Sequence, residues 1–146
     1  MTMSIVHASC VEFMGSGLLI CGKPGSGKSD LCLRLIDAGA RLIADDQTQL
    51  NNTDGKLIAS CPDSLRGLLE IRGIGIVEMP FAVQTEIGLK LILRKAEKID
   101  RMPLIETEVL EGVQVPVFQL NPFEASALLK IKTYLLIQKG QRKVIS

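Results

Sequence analysis

Between a glycine-bounded apolar run and an amphipathic stretch lies Gly22-Lys23-Pro24-Gly25-Ser26-Gly27-Lys28-Ser29, a complete G-x-x-x-x-G-K-[ST] pattern. Few short segments restrict a fold as much. Its three glycines let consecutive backbone N–H groups converge on phosphate oxygens without Cβ clashes, and a following helix presents its positive end to the anion. In that geometry Lys28 reaches the β- and γ-phosphates, and the Ser29 hydroxyl ligates the Mg²⁺ they carry. The pattern therefore demands strand, loop and helix in succession. Gly17–Cys21 supplies a run suited to a buried strand, and residues 30–38 follow with helical spacing. Leu31, Cys32, Leu35 and Ile36 share one face of that helix, and Gly39 is its natural C-terminal cap. Arg41–Ala44 is strand-like again and runs straight into Asp45 and Asp46, the opening of an α/β domain.

Farther along, turn residues 51–55 separate two short β-like runs and predict a hairpin. Residues 68–70, a glycine-interrupted segment at 72–76 and a strand at 87–93 come next. Val113–Leu120 also reads as extended, with Pro116 favouring a sheet edge or the strand's end because it cannot donate to a ladder. Asn121, Pro122 and Glu124 match an N-cap, a first-turn proline and an acidic third position, which predicts a helix over 122–138. Leu128, Leu129, Ile131, Leu135 and Leu136 give that helix an apolar stripe, with Lys130, Lys132 and Lys139 on its solvated face.

The 146 residues fit one domain spanning 1–146. With 17 Lys+Arg against 16 Asp+Glu, the chain lacks the basic surplus that nucleic acid or an anionic membrane demands, so neither is expected as a partner. No run approaches the roughly 18 apolar residues of a membrane span, and the N-terminus lacks the pattern of a secretory signal, so a cytoplasmic protein is expected. Cys10, Cys21, Cys32 and Cys61 form no C-x-x-C pair and accompany a single histidine. They read as small packed hydrophobes, not as a zinc site or a disulfide framework.

Two further segments carry chemistry. Adjacent acids in a loop are usually solvated turn residues, but Asp45 and Asp46 end the strand after the phosphate-loop helix, and α/β sheets bind ligands beyond the carboxyl ends of their strands. One carboxylate there can accept a proton from an attacking hydroxyl while its neighbour holds Mg²⁺ or water. The run Leu69-Glu70-Ile71-Arg72-Gly73-Ile74-Gly75-Ile76-Val77 places glycines at alternate positions of a strand. That weakens the strand and suggests backbone that closely approaches a ligand or another loop.

The order His7-Ala8-Ser9, the phosphate loop ending GKSD, the LIADD run, LEIRGIGIV and the pair Asp100-Arg101 resembles the catalytic domain of HPr kinase/phosphorylase, in its short, kinase-domain-only form. The resemblance covers nearly the whole chain. It implies an α/β phosphate-loop domain with a mixed β-sheet of the phosphoenolpyruvate carboxykinase-like branch. It implies ATP and Mg²⁺ as cofactors, a serine of the HPr phosphocarrier of the sugar phosphotransferase system as phosphate acceptor, and a homo-oligomer, a hexamer in long members. Carried over by position, Asp46 is the proton acceptor, and His7 assists the acidic pair. Lys28 stabilises the transferring phosphoryl group, Ser29 and Glu70 ligate Mg²⁺, and Arg101 is a cationic active-site residue. The chain starts almost at His7, so the N-terminal domain of longer members is expected to be absent. Where long members carry a Pro-Gly-Arg-Asn type loop, this chain has Leu120-Asn121-Pro122-Phe123-Glu124, and an acid there is poorly suited to a second phosphate, which argues against reversal. The rivals are a small-molecule kinase, which a closed pocket beside Asp46 would favour, and a nucleotide-sensing module without transfer.

Overall fold

The computed structural model describes residues 3–145. Its strands are β1 (Met3–Val6), β2 (Ser9–Phe13), β3 (Ser16–Cys21), β4 (Arg41–Ala44), β5 (Thr48–Thr53), β6 (Lys56–Ser60), β7 (Leu68–Ile71), β8 (Gly75–Glu78), β9 (Gln84–Leu93), β10 (Glu106–Leu110) and β11 (Val113–Leu120), and its helices are α1 (Lys28–Asp37) and α2 (Ala127–Gln138). Among the described residues, β7 and β8 form a separate hairpin and the other nine strands make one mixed sheet. Its backbone path runs β1-β5-β6-β9-β3-β2-β4, with β11 on β9 and β10 on β11. The pairs β3/β9 and β9/β11 are parallel; the remainder are antiparallel. No described helix is long and apolar enough to cross a membrane.

Alternation along the central strands feeds two cores. Leu18, Ile20, Leu89 and Leu91 pack with the buried faces of both helices, whereas Leu19, Cys10 and Ile43 pack with Leu50, Leu57 and Ala59 of the β5–β6 arm, which curls over the opposite face. The switch lies in a bulge: β3 and β9 slip register between Gly17 and Leu18, which turns Ile87 to the other side from Leu89.

The elements expected from sequence at Gly17–Cys21, residues 30–38 and Arg41–Ala44 are present, with Leu31, Cys32, Leu35 and Ile36 all buried. Three details differ. The hairpin turn is narrower than residues 51–55, since Asn51, Asn52 and Thr53 remain paired and Asp54-Gly55 alone make the reversal. Pro116 lies inside β11 and not at its end, with Thr107 of β10 opposite it on one side and, among the described residues, no strand on the other. The proline is tolerated where pairing with β9 begins only one residue later, at Val117.

The third concerns α2, which begins at Ala127 and not at Pro122. Asn121 Oδ1 accepts the Phe123 N–H at 3.1 Å, and the Pro122 carbonyl accepts from Arg34 Nη2 of α1 at 2.5 Å. The Asn121 bond is the one an N-cap makes, but the turn that follows closes through i+3 bonds, Glu124 N–H to Asn121 O at 3.4 Å and Ala127 N–H to Glu124 O at 3.1 Å. The Pro122 carbonyl is diverted to Arg34, so regular i+4 bonding starts only with Lys130 N–H to Ser126 O. Its buried residues are Ala127, Ile131 and Leu135, while Leu129, expected in the apolar stripe, is exposed.

Candidate active site

Strand direction brings the sequence motifs to one edge. β3 and β9 are parallel, and β4 runs the same way as β3 because both are antiparallel to β2. The carboxyl ends of β4, β3, β9 and β11 therefore open on one side, and β2 enters from it. Asp45-Asp46, the phosphate loop, residues 94–105 and residues 121–126 all leave this edge, and His7 and Ser9 approach it.

The phosphate loop closes on itself. Ser26 N–H donates to Lys23 O at 3.0 Å, and Lys28 Nζ reaches back to the carbonyls of Gly22 at 3.0 Å and Lys23 at 3.3 Å. A Cβ at Gly22 would lie 2.3 Å from Ser26 Oγ, so no side chain fits there. Pro24 and Gly25 form the exposed tip. α1 starts from Gly27, held at φ 100° with no side-chain cap, which leaves its first-turn N–H groups for an anion. Ser26 Oγ is buried without a protein partner among the described residues. Uncapped donors, a lysine and an orphaned hydroxyl are a donor set that fits a phosphate group.

Asp45 is the hub. Its Oδ1 accepts from Ser29 Oγ at 3.0 Å and from Ser9 Oγ at 3.4 Å, and its Oδ2 accepts the Glu70 backbone N–H at 3.1 Å. One carboxylate thus ties the helix start, β2 and the signature hairpin together. Asp46 is exposed and sits at φ 64°, a left-handed conformation that costs most residues free energy. Its N–H donates to Ser9 Oγ at 3.1 Å. Beneath the pair, the Cys32 thiol is pushed up to about 12 by burial, with the Asp45 charge adding to the effect, so it stays a neutral packing group.

Ser29, Asp45, Asp46 and the Glu70 backbone are brought together; His7 and Arg101 are not. His7 is exposed at the same edge, and no hydrogen bond joins it to either acid. Arg101, also exposed, lies in the loop after β9 and lines a cleft of about 580 Å³ with Phe118, Tyr134 and Leu129. The signature segment Leu69, Glu70, Ile71, Arg72, Gly73, Ile74, Gly75 and Ile76 is the β7–β8 hairpin. Leu69 is buried, whereas Ile74 and Ile76 are 75% and 72% exposed. Its glycines are not there for close approach to another part of the protein: nothing lies within 4 Å of a Cβ at Gly73 or Gly75, and φ values of 90° and 128° are what require them.

Two residues at this edge escape sequence reasoning. Ser9, wholly buried, reads as an ordinary strand residue, and only its place two residues after His7 singles it out. Phe123, read as a helical position, instead sets its ring against Gly27.

Comparison with known proteins bears on the family and the fold. Residues 1–123 match the family model described as HPr Serine kinase C-terminal domain. The HPr kinase/phosphorylase of Clostridium botulinum (strain Eklund 17B / Type B) is 42% identical over 126 residues, covering 80% of this chain and 41% of that protein. That of Bordetella pertussis (strain Tohama I) is 37% identical over 110 residues, covering 68% of this chain and 36% of that protein. The chain thus spans less than half the length of these curated relatives. The solved structure of the Hpr(Ser) kinase/phosphatase from Coxiella burnetii aligns with a TM-score of 0.84 at 32% identity, over 94% of this chain and 97% of that one. The expected mixed α/β fold is the fold of that structure.

Proposed function

The chain belongs to the HPr serine kinase C-terminal domain family, and from that premise we propose that it is a single catalytic domain that transfers the γ-phosphoryl group of ATP to a serine of an HPr-type phosphocarrier protein. The observation that carries this reading is the Asp45 hub, which links the Ser29 hydroxyl at 3.0 Å to the strand end that bears Asp46. Ser29 and the acids would hold a Mg²⁺ ion, which neutralises phosphate charge when bound. Asp46 accepts the proton of the serine hydroxyl as that oxygen bonds to the γ-phosphorus, and ADP leaves with the electrons of the broken bond. Lys28 counters the charge spread over the transferring group, the usual burden of phosphoryl-transfer catalysis. His7 and Arg101 keep the assisting roles of the resemblance, and Glu70 that of a metal ligand.

Exposure of Asp46 and of the neighbouring hairpin supports a protein acceptor over a small molecule, since neither is enclosed. Glu124 is paired with Lys130 beside the 121–126 turn. An acid at that place disfavours a second phosphate, so the reading is a kinase without efficient reversal. A cytoplasmic location and self-association, up to a hexamer, belong to the same proposal.

Intact-mass spectrometry of an HPr-type carrier incubated with this protein, Mg²⁺ and ATP tests it. One phosphate should appear on a carrier serine. Lys28→Ala should slow its appearance about a hundredfold or more, and Asp46→Asn should bind nucleotide yet transfer little. No added mass despite ATP binding would move the assignment to a small-molecule kinase or a nucleotide sensor.

A further inference from the structure

At the ligand edge the elements stand in the order β4, β2, β3, β9, β11. The acids occupy one flank of the phosphate loop, and the residues that follow β11 occupy the other. Ser29 leans to the acid flank through its bond to Asp45, so the terminal phosphate of a bound nucleotide is placed there. A nucleoside end directed away from the acids would then leave toward β9 and β11.

On that flank stands an aromatic ring with no partner. Phe123 is 70% exposed, and the one stacked aromatic pair among the described residues, Phe118 with Tyr134, does not include it. Its ring nevertheless stands beside the loop: a Cβ at Gly27 would lie 3.2 Å from its Cζ and 3.3 Å from its Cε1. The peptide group that precedes it is pinned at both of its polar atoms, by the bond from the Phe123 N–H to Asn121 and by the bond from Arg34 to the Pro122 carbonyl. Pro122 is itself buried. Asn121 and Glu124, its neighbours, line the cleft that also contains Arg101, so that cleft adjoins the turn that carries the ring.

A ring face exposed to solvent on pinned backbone next to a phosphate loop can serve as a stacking platform, the arrangement by which proteins hold a nucleobase without reading its edge. We propose that Phe123 is the platform on which the base of the nucleotide stacks, with the cleft beyond it receiving the nucleoside. This rests on the nucleotide-dependent reading above and adds which side chain recognises the nucleoside part. Stacking alone predicts tolerance toward different purines.

Binding of ATP and of inorganic tripolyphosphate, each with Mg²⁺, separates the two halves of the ligand. By isothermal titration of the full chain, Phe123→Ala should weaken ATP about tenfold or more while tripolyphosphate affinity stays within about twofold. Phe123→Trp should keep ATP affinity. Phe123→Leu, which retains bulk against Gly27 without a ring face, should behave like the alanine variant and covers the case in which that variant misfolds. Equal losses for ATP and tripolyphosphate would overturn the proposal, since the ring would then merely prop the loop. So would unchanged ATP affinity, including the case where only the KM for the protein acceptor rises, which would make Phe123 a docking residue. Unmutated protein that binds tripolyphosphate but gains nothing from the nucleoside would end this proposal and leave the phosphate loop intact; binding of neither ligand would end the nucleotide reading itself.

Discussion

Ser9 Oγ lies out of reach of solvent between two carboxylate-bearing residues, donating toward Asp45 Oδ1 and accepting the N–H of Asp46. A left-handed aspartate at φ 64° persists only where its surroundings hold it, and that N–H bond is the evident holder. Ser9 is thus a positioning residue for the proposed base. Ser9→Ala should lower kcat for transfer about tenfold, the scale of one lost hydrogen bond of roughly 1.4 kcal/mol, and leave the KM for nucleotide within about twofold. In an Asp46→Asn background the same change should cost almost nothing further, because the group it positions is already gone. A parallel loss in both backgrounds would make Ser9 a packing residue only. The acids and the phosphate loop are legible in sequence because their chemistry is written in residue types at short spacing. Ser9 is not, because its role comes from Asp45 and Asp46, which lie more than 30 positions away along the chain.

Among the elements, the β7–β8 hairpin bears most directly on the site, since the Glu70 N–H is bonded to Asp45. Its reversal depends on Gly73 and Gly75, both at positive φ and both with open space around them. Gly75→Ala meets no clash but must adopt φ 128°, a conformation side chains avoid, at a cost of about 1–3 kcal/mol. A fall in unfolding free energy of that size, read from urea denaturation, together with slower transfer, is the expected outcome. Ile74→Ser, at a position 75% exposed, should change the unfolding free energy by less than about 0.5 kcal/mol. The alternating glycines read in sequence as a weakened strand with close backbone approach, whereas they build the turn of a hairpin, because crowding and turn geometry leave the same mark in a sequence. α2 shows the complementary limit. Asn121, Pro122 and Glu124 carry the pattern of a helix start, and a bond from Arg34, on a distant helix, redirects it.

Across the whole molecule, Glu12 of β2 joins strands that the chain separates widely. Its carboxylate meets Arg41 of β4 and accepts from Thr85 of β9 at 2.9 Å, and the Arg41 hydrogen bond holds its pKa below the ordinary glutamate value. A lowered pKa means that the folded state favours the ionised form. The stabilisation is therefore fully present above the unfolded glutamate pKa and is lost as pH falls through the lower folded value. Glu12→Gln should reduce the urea midpoint at neutral pH, and its difference from the unmutated chain should shrink in acid below the ordinary glutamate range. A gap that persists there would assign the effect to packing.

The phosphate loop, its flanking strand and helix, the acidic pair and the α/β class were all carried by local pattern, because glycine spacing, apolar periodicity and adjacent charges act over a few residues. The division of β9 between the two cores was not, since Ile87 and Leu89 part sides at a one-residue slip between β3 and β9 that no local pattern encodes. Nor was the company each motif keeps at the ligand edge. Strand direction sets Asp45 against Ser29 and Phe123 against Gly27, and it carries Arg101 to the cleft beside α2. Hydrogen bonding across strands far apart in the chain makes those choices.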